Sequence, residues 1–223
     1  KWLQTGNTVL VITSGIQYNI SYKILTGGIC MGSYLNPGNF SFRGSLRSKI
    51  YVDKSELIAK TNEALCTEQR YICVSRPRRF GKSMAANMLA AYYDRSENIE
   101  ELFRNLAISK DSSYKENLNQ YDVIKINMQE FLSMSGTMEE MLDMLKKYLV
   151  LDFEEAYPQV RFRDEKNLIQ VLKDVFSYTR CPFVILIDEW DCLFREYQQD
   201  QEAQKKYLDF LRVWMKDQEY VAL

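Results

Sequence analysis

Apolar positions along this chain follow two rhythms. Short continuous or alternating runs predict strands at Tyr71-Ile72-Cys73-Val74-Ser75, Asp122-Val123-Ile124-Lys125-Ile126-Asn127 and Phe183-Val184-Ile185-Leu186-Ile187. The third run is apolar throughout, the pattern of a strand buried on both faces. Apolar residues three and four apart predict helices between them. One begins within Tyr51–Ile58, where Asp53 can cap it and Glu56 sits three residues on, as in a capping box; Leu57, Ile58, Ala64 and Leu65 form its apolar face. A second runs from Lys82 to about Asp94 with Met84, Met88, Leu89 and Tyr92 inward, and a short helical piece lies near Ile99–Leu106. Ser133–Gly136 reads as a loop. Thr137 then caps a long helix with Glu140 completing a second capping box, and Met138, Met141, Leu142, Leu145, Tyr148 and Leu149 form its stripe, the methionines serving as core filler. Asp164 starts another helix carrying Leu168, Val171, Leu172, Val175 and Phe176, which Arg180-Cys181-Pro182 breaks. The last, roughly Gln199–Asp217, places Ala203, Tyr207, Phe210, Leu211 and Trp214 on one side. Asn36-Pro37-Gly38-Asn39 is a turn signal.

Strands alternating with helices of this length imply an α/β fold with a mainly parallel sheet covered on both faces. Such sheets take ligands at the carboxyl ends of their strands. Two polar clusters fall at such ends: Arg76–Ser83 after the first strand, and Asp188-Glu189-Trp190-Asp191 after the last.

Composition narrows the chemistry. The 223 residues suffice for one α/β domain. Residues 1–30 stand apart, with Lys1 and Lys23 as their only charges and an apolar run, Thr8–Thr13, far short of the roughly 20 residues that cross a bilayer. They read as a disordered or weakly stranded leader, with Met31 as a candidate true start and 31–223 as the domain. The chain opens without Met and stops inside an apolar pattern at Tyr220-Val221-Ala222-Leu223, so it is expected to be a fragment. A formal net charge of −1 gives no global field toward nucleic acid or a membrane surface. Five scattered cysteines (Cys30, Cys66, Cys73, Cys181, Cys192), none spaced C-x-x-C, argue against a disulfide framework or thiolate zinc and fit a reducing cytoplasm. The absence of histidine excludes Ser-His-Asp and Cys-His catalysis and His-ligated metals within the chain. Carboxylates, Lys, Arg, Ser/Thr and a hard cation such as Mg2+ remain.

Gly81-Lys82-Ser83 is the second half of a phosphate-binding loop, G-x-x-x-x-G-K-[ST], whose first glycine is replaced by Arg76. In such a loop backbone N–H groups and a helix N-terminus cradle the phosphates. Lys82 would reach the β and γ phosphates, Ser83 would bind Mg2+, and Gly81 allows close approach. The nucleotide-binding set is therefore Pro77, Arg78, Arg79, Phe80, Gly81, Lys82, Ser83 and Met84. An aspartate ending an apolar strand holds Mg2+, which fits Asp188. The adjacent Glu189 can polarise an attacking water, a mark of hydrolysis, so Glu189 and Lys82 are the catalytic candidates. The bland alternatives are a solvated basic turn for Arg76, Arg78 and Arg79, and helix capping for Asp188, Glu189 and Asp191. Phe80 and Trp190 read as packing residues, Asp191 as a supporting or capping one.

With these residues in hand, the chain from about Met31 to Leu223 resembles the bacterial AAA-ATPase-like family, which pairs an N-terminal P-loop ATPase domain with a C-terminal region often similar to a PD-(D/E)XK nuclease. Three blocks carry the resemblance: Leu35-Asn36-Pro37-Gly38-Asn39 with Tyr51-Val52-Asp53-Lys54-Ser55; Ser75-Arg76-Pro77-Arg78-Arg79-Phe80-Gly81-Lys82-Ser83; and Ile187-Asp188-Glu189-Trp190-Asp191. The family's own loop is similar to Arg-Pro-Arg-Arg-Phe-Gly-Lys-[ST], so Arg76 is ordinary for it. Trp190 departs mildly from the Tyr usual there. The resemblance implies a three-layer P-loop NTPase sandwich of the additional-strand, catalytic-Glu type. Its extra strand lies between the loop strand and the Asp188 strand, with Glu219–Leu223 as its beginning, and the chain is truncated before this sensor strand is complete. Sensor, arginine finger and C-terminal region would then lie beyond Leu223, and this piece would bind nucleotide poorly and hydrolyse it slowly, if at all.

The leading functional reading is Mg2+-dependent ATP hydrolysis coupled to conformational change. One alternative is a nucleotide-binding switch without significant turnover. Another is a nucleic-acid-processing ATPase that meets nucleic acid only through a missing nuclease-like region. A nucleotide kinase is disfavoured by the Asp188-Glu189 pair. Self-association through the ATPase domain and a cytoplasmic, non-membrane location complete the expectations.

Overall fold

A computed structural model of the chain describes residues 32–74 and 80–223 with their side chains. Three earlier segments are described by backbone alone: β1 (Gln4–Thr5), β2 (Thr8–Thr13) and β3 (Ile16–Ser21), paired antiparallel in that order. The leader expectation otherwise lies outside the described residues, as do Arg76, Pro77, Arg78 and Arg79. The remaining elements are α1 (Phe40–Leu46), α2 (Glu56–Ala64), α3 (Lys82–Tyr93), α4 (Glu100–Phe103), α5 (Tyr114–Asn117), β4 (Asp122–Asn127), α6 (Met128–Met134), α7 (Met138–Ala156), α8 (Leu168–Thr179), β5 (Phe183–Asp188), α9 (Cys192–Glu196) and α10 (Gln201–Met215). No helix among the described residues is long and apolar enough to cross a membrane.

β4 and β5 pair in parallel, Asp122 opposite Phe183 and Asn127 opposite Asp188. Because strand side chains alternate, each strand feeds two cores. Val123 and Val184 enter one core with Ile58 of α2 and the Met88–Tyr93 end of α3. Ile124, Ile126, Phe183 and Ile185 enter the other with the apolar faces of α7, α8 and α10. The expected α/β class is present, with a parallel sheet of two strands among the described residues and cores on both of its faces. Tyr220–Leu223 lie along the free edge of β5, where Phe183 N–H donates to the Tyr220 carbonyl at 2.6 Å and Ile185 N–H to that of Leu223 at 2.9 Å. Val221 bridges Phe183 in parallel. Residues 219–223 thus lie beside β5 through this isolated bridge and do not form a strand.

The strand expected at 71–75 is not formed over its described part. Tyr71, Ile72 and Val74 are about half exposed (46%, 46% and 50%) and carry no ladder. An apolar run becomes a strand only where a neighbour satisfies its N–H and C=O groups, and the position beside β5 is taken by 220–223 on one side and β4 on the other.

Other corrections are local. Asp53 caps no helix: α2 starts at Glu56, and Asp53 instead accepts from Ser55 N–H and Ala107 N–H, each at 2.8 Å. Met84 is exposed, not inward. The loop at 133–136 starts later, because α6 continues to Met134. Thr137 caps α7 as expected, but Glu140 reaches back to Gly136 N–H (2.8 Å). α8 begins at Leu168 under an Asn167 cap, Asp164 holding only the preceding turn. α10 is two residues shorter at each end than expected, capped by Asp200 through Ala203 N–H.

Candidate functional site

The orientation of α3 decides which residues meet. Its C-terminal end is tied to the amino end of β4: Tyr121 N–H donates to the Tyr93 carbonyl (2.9 Å) and Arg95 N–H to that of Tyr121 (3.0 Å). α3 packs on both strands. Twelve helical residues rise about 18 Å and a six-residue strand about 20 Å. The start of α3 therefore lies at the opposite, carboxyl end of the sheet, where β4 ends in Asn127 and β5 in Asp188. Gly81, Lys82 and Ser83 share that end with Asp188 and Glu189.

Burial follows the same axis. Val184 and the Met88–Tyr93 end of α3 are buried, while Ser83 and Met84 are exposed and Lys82 and Asp188 half-buried. The layers open at this end. Two surface hollows, of about 260 and 300 Å3, lie elsewhere, one lined by residues of the α7 and α10 starts and one by Tyr71 with the end of α10.

Gly81 is the N-cap of α3 in the left-handed region (φ 79°), with no side-chain cap on the helix and no acidic residue in its first turn. A residue with a Cβ is strained there. With no acidic residue in its first turn, nothing negative on the helix start repels an anion. Strand alternation puts Asp188 on the same face as Val184 and Leu186, the face α3 covers. Asp188 Oδ1 accepts from Glu189 N–H (3.0 Å). Lys125, half-buried on the same face, has its ammonium pushed down by burial while Asp188 and Glu130 draw it up.

Glu189 also has left-handed backbone (φ 51°). Its Oε2 accepts from Arg195 at 2.6 Å, and the same guanidinium donates to Asp191 at 2.8 Å and to Gln129, the residue after next beyond the end of β4, at 3.4 Å. Asp191 is thus an ion-pair partner of Arg195 and makes no side-chain cap on α9. Trp190 lies edge-on to Phe194 at 5.9 Å but stays 38% exposed, and Phe80, also expected to pack, is 59% exposed. Sequence reasoning missed Arg195, although its i, i+4 spacing from Asp191 on a short helix was a usable signal.

Comparison with known proteins decides the family. The model for a family described as "Predicted AAA-ATPase" matches residues 42–220. The chain belongs to the AAA-ATPase-like family. No curated protein and no solved structure matches it. The matched span of this AAA-ATPase-like chain contains every candidate site residue and β4 and β5 entire, and the family's description points to ATP binding or hydrolysis.

Among the described residues, no cluster of three or more Cys, Asp or Glu side chains is arranged as a self-sufficient metal site. Ser83 and Asp188 fit a different donor set, one hydroxyl and one carboxylate. Mg2+ is commonly held in this way, with water and phosphate oxygens completing its coordination. The uncapped start of α3 likewise fits a phosphate group.

Proposed function

We propose that this AAA-ATPase-like chain binds ATP with Mg2+ at the carboxyl end of its sheet, within a P-loop NTPase fold, and hydrolyses it. The observation that carries the reading is the meeting, at one end of the sheet, of an uncapped, acid-free helix start bearing Lys82 and Ser83 with the Asp188-Glu189 end of β5. In this reading the N–H groups after Gly81 and the Lys82 ammonium bind phosphate oxygens. Ser83 and Asp188 would hold Mg2+, whose charge offsets that developing on the phosphates. Glu189 orients a water and accepts its proton. Arg195 engages Oε2, so the oxygen for that proton is Oε1. The Glu189–Arg195 pair favours one second reading, a nucleotide switch in which Glu189 stays engaged and turnover is negligible.

The test is ATP binding and phosphate release by the wild-type chain, Lys82→Ala and Glu189→Gln. Hydrolysis predicts that Lys82→Ala loses ATP binding, whereas Glu189→Gln keeps it and abolishes the slow turnover of the wild-type chain. A switch predicts wild-type binding with turnover near background and no further loss in Glu189→Gln. Failure of the wild-type chain to bind ATP in the presence of Mg2+ overturns both.

A further inference from the structure

Asp53, Lys54 and Ser55 divide their work in a way that points at the start of α3. Asp53 Oδ2 accepts Ala107 N–H (2.8 Å), and the Ser55 hydroxyl accepts Ile108 N–H (3.1 Å). The two residues flanking Lys54 are therefore pinned to the short 3-10 turn Ala107–Lys110. Lys54 is not part of that clamp. Its ammonium crosses to the Phe80 carbonyl at 2.7 Å. It also lies 3.1 Å from where a Cβ on Gly81 would sit, so the ammonium stands close against Gly81, whose φ of 79° already favours glycine.

An ammonium has three N–H donors in a tetrahedral arrangement. One of them is spent on Phe80, leaving donors beside the uncapped N–H groups that open α3. An exposed lysine gains little from one neutral carbonyl, and holding a long side chain in place costs entropy. Holding Lys54 against the loop by clamping both its neighbours is economical when the ammonium meets an anion there. We infer that Lys54 is a second phosphate-contacting lysine, beside Gly81, and that it binds the phosphates of the nucleotide and not its base. This inference rests on the ATP reading above and adds to it a residue from a segment with no assigned role.

The experiment measures displacement of a fluorescent ATP analogue by ATP, ADP, AMP and tripolyphosphate for the wild-type chain, Lys54→Met, Lys54→Arg and Lys82→Ala. Methionine keeps the apolar stem and removes the charge. Lys54→Met is expected to weaken ATP and tripolyphosphate about tenfold or more and AMP by much less, with Lys54→Arg recovering most of the loss. Thermal unfolding should move little, because the side chain is exposed. Equal loss for AMP and ATP with a lowered melting temperature would make Lys54 a strut for the loop and overturn the inference. Unchanged ATP affinity in Lys54→Met, while Lys82→Ala loses it, would also overturn the inference and leave the ATP reading intact. No binding to the wild-type chain would instead remove the ATP reading itself.

Discussion

Glu189 carries the sharpest conflict between local preference and position. A non-glycine residue in the left-handed region costs about 1 kcal/mol, yet Glu189 holds φ 51° at the end of β5. Glycine is free of that cost. Comparing Glu189→Gly with Glu189→Gln isolates the backbone term, since both lose the ion pair with Arg195. The glycine variant should be more stable than the glutamine variant by about 1 kcal/mol in urea unfolding, with turnover equally low in both. Equal stabilities would show that the backbone is unstrained. Glu189 itself was legible in the sequence because a carboxylate ending an apolar run has few structural reasons to be there. Arg195 was not. What makes it notable is the convergence of Glu189, Asp191 and Gln129 on one guanidinium, and Gln129 comes from the start of α6, 66 residues away.

At the scale of elements, the Asp53–Ser55 turn shows how a capping signature can be diverted. The spacing of Asp53 and Glu56 fits a capping box, but the N–H groups of Ala107 and Ser55 compete for the carboxylate and win. Burial alone would raise the Asp53 pKa; the hydrogen bonds from Ala107 N–H, Ser55 N–H and the Ser55 hydroxyl outweigh it and hold the carboxyl below its ordinary range. A depressed acid stabilises the fold above its unfolded value of about 4 and loses that contribution as pH falls through the folded value. Asp53→Asn should therefore cost about 1 kcal/mol at neutral pH. The gap from wild type should close below about pH 4, as followed by urea unfolding across pH. A gap that persists at pH 3 would mean the charge is irrelevant. At this same scale the Thr137 cap that starts α7 and the bounds of α10 to within two residues were predictable, because long amphipathic periods and side-chain caps are local. The strand at 71–75 was not, because a strand is completed by a neighbour.

For the whole molecule, the amino end of the sheet is secured by a buried polar cluster opposite the candidate site. Asp122 is fully buried and is met by Arg95 through two bonds of 2.9 and 2.6 Å, by the Tyr157 hydroxyl, and by Asn36 at 2.8 Å. Asn36 also accepts Val123 N–H at 2.7 Å, and Gly38 N–H reaches Asp94 at 2.9 Å. The Asn36–Asn39 block is thus an architectural clamp joining the chain before α1 to β4 and to the end of α3. Burial opposes the Arg95 charge, and Asp122 more than restores it. Arg95→Ala leaves a buried carboxylate without its cation and should cost about 3 kcal/mol or more, against about 1 kcal/mol for Tyr157→Phe. Equal, small losses in urea unfolding would mean that water reaches Asp122.

The sequence by itself determined the α/β class, the parallel sense of β4 and β5, the amphipathic faces of the long helices, and the two polar clusters at strand and helix ends. Periodicity and end residues are properties of neighbours along the chain, so they are written locally. Only the tertiary structure decided that α3 runs back along the sheet to bring Lys82 and Ser83 to the end that carries Asp188. It alone set Arg195 against Glu189, left Tyr71–Val74 without a ladder, and aimed Lys54 at Phe80. Each of these depends on which distant segment supplies the hydrogen-bond partner or the opposite charge.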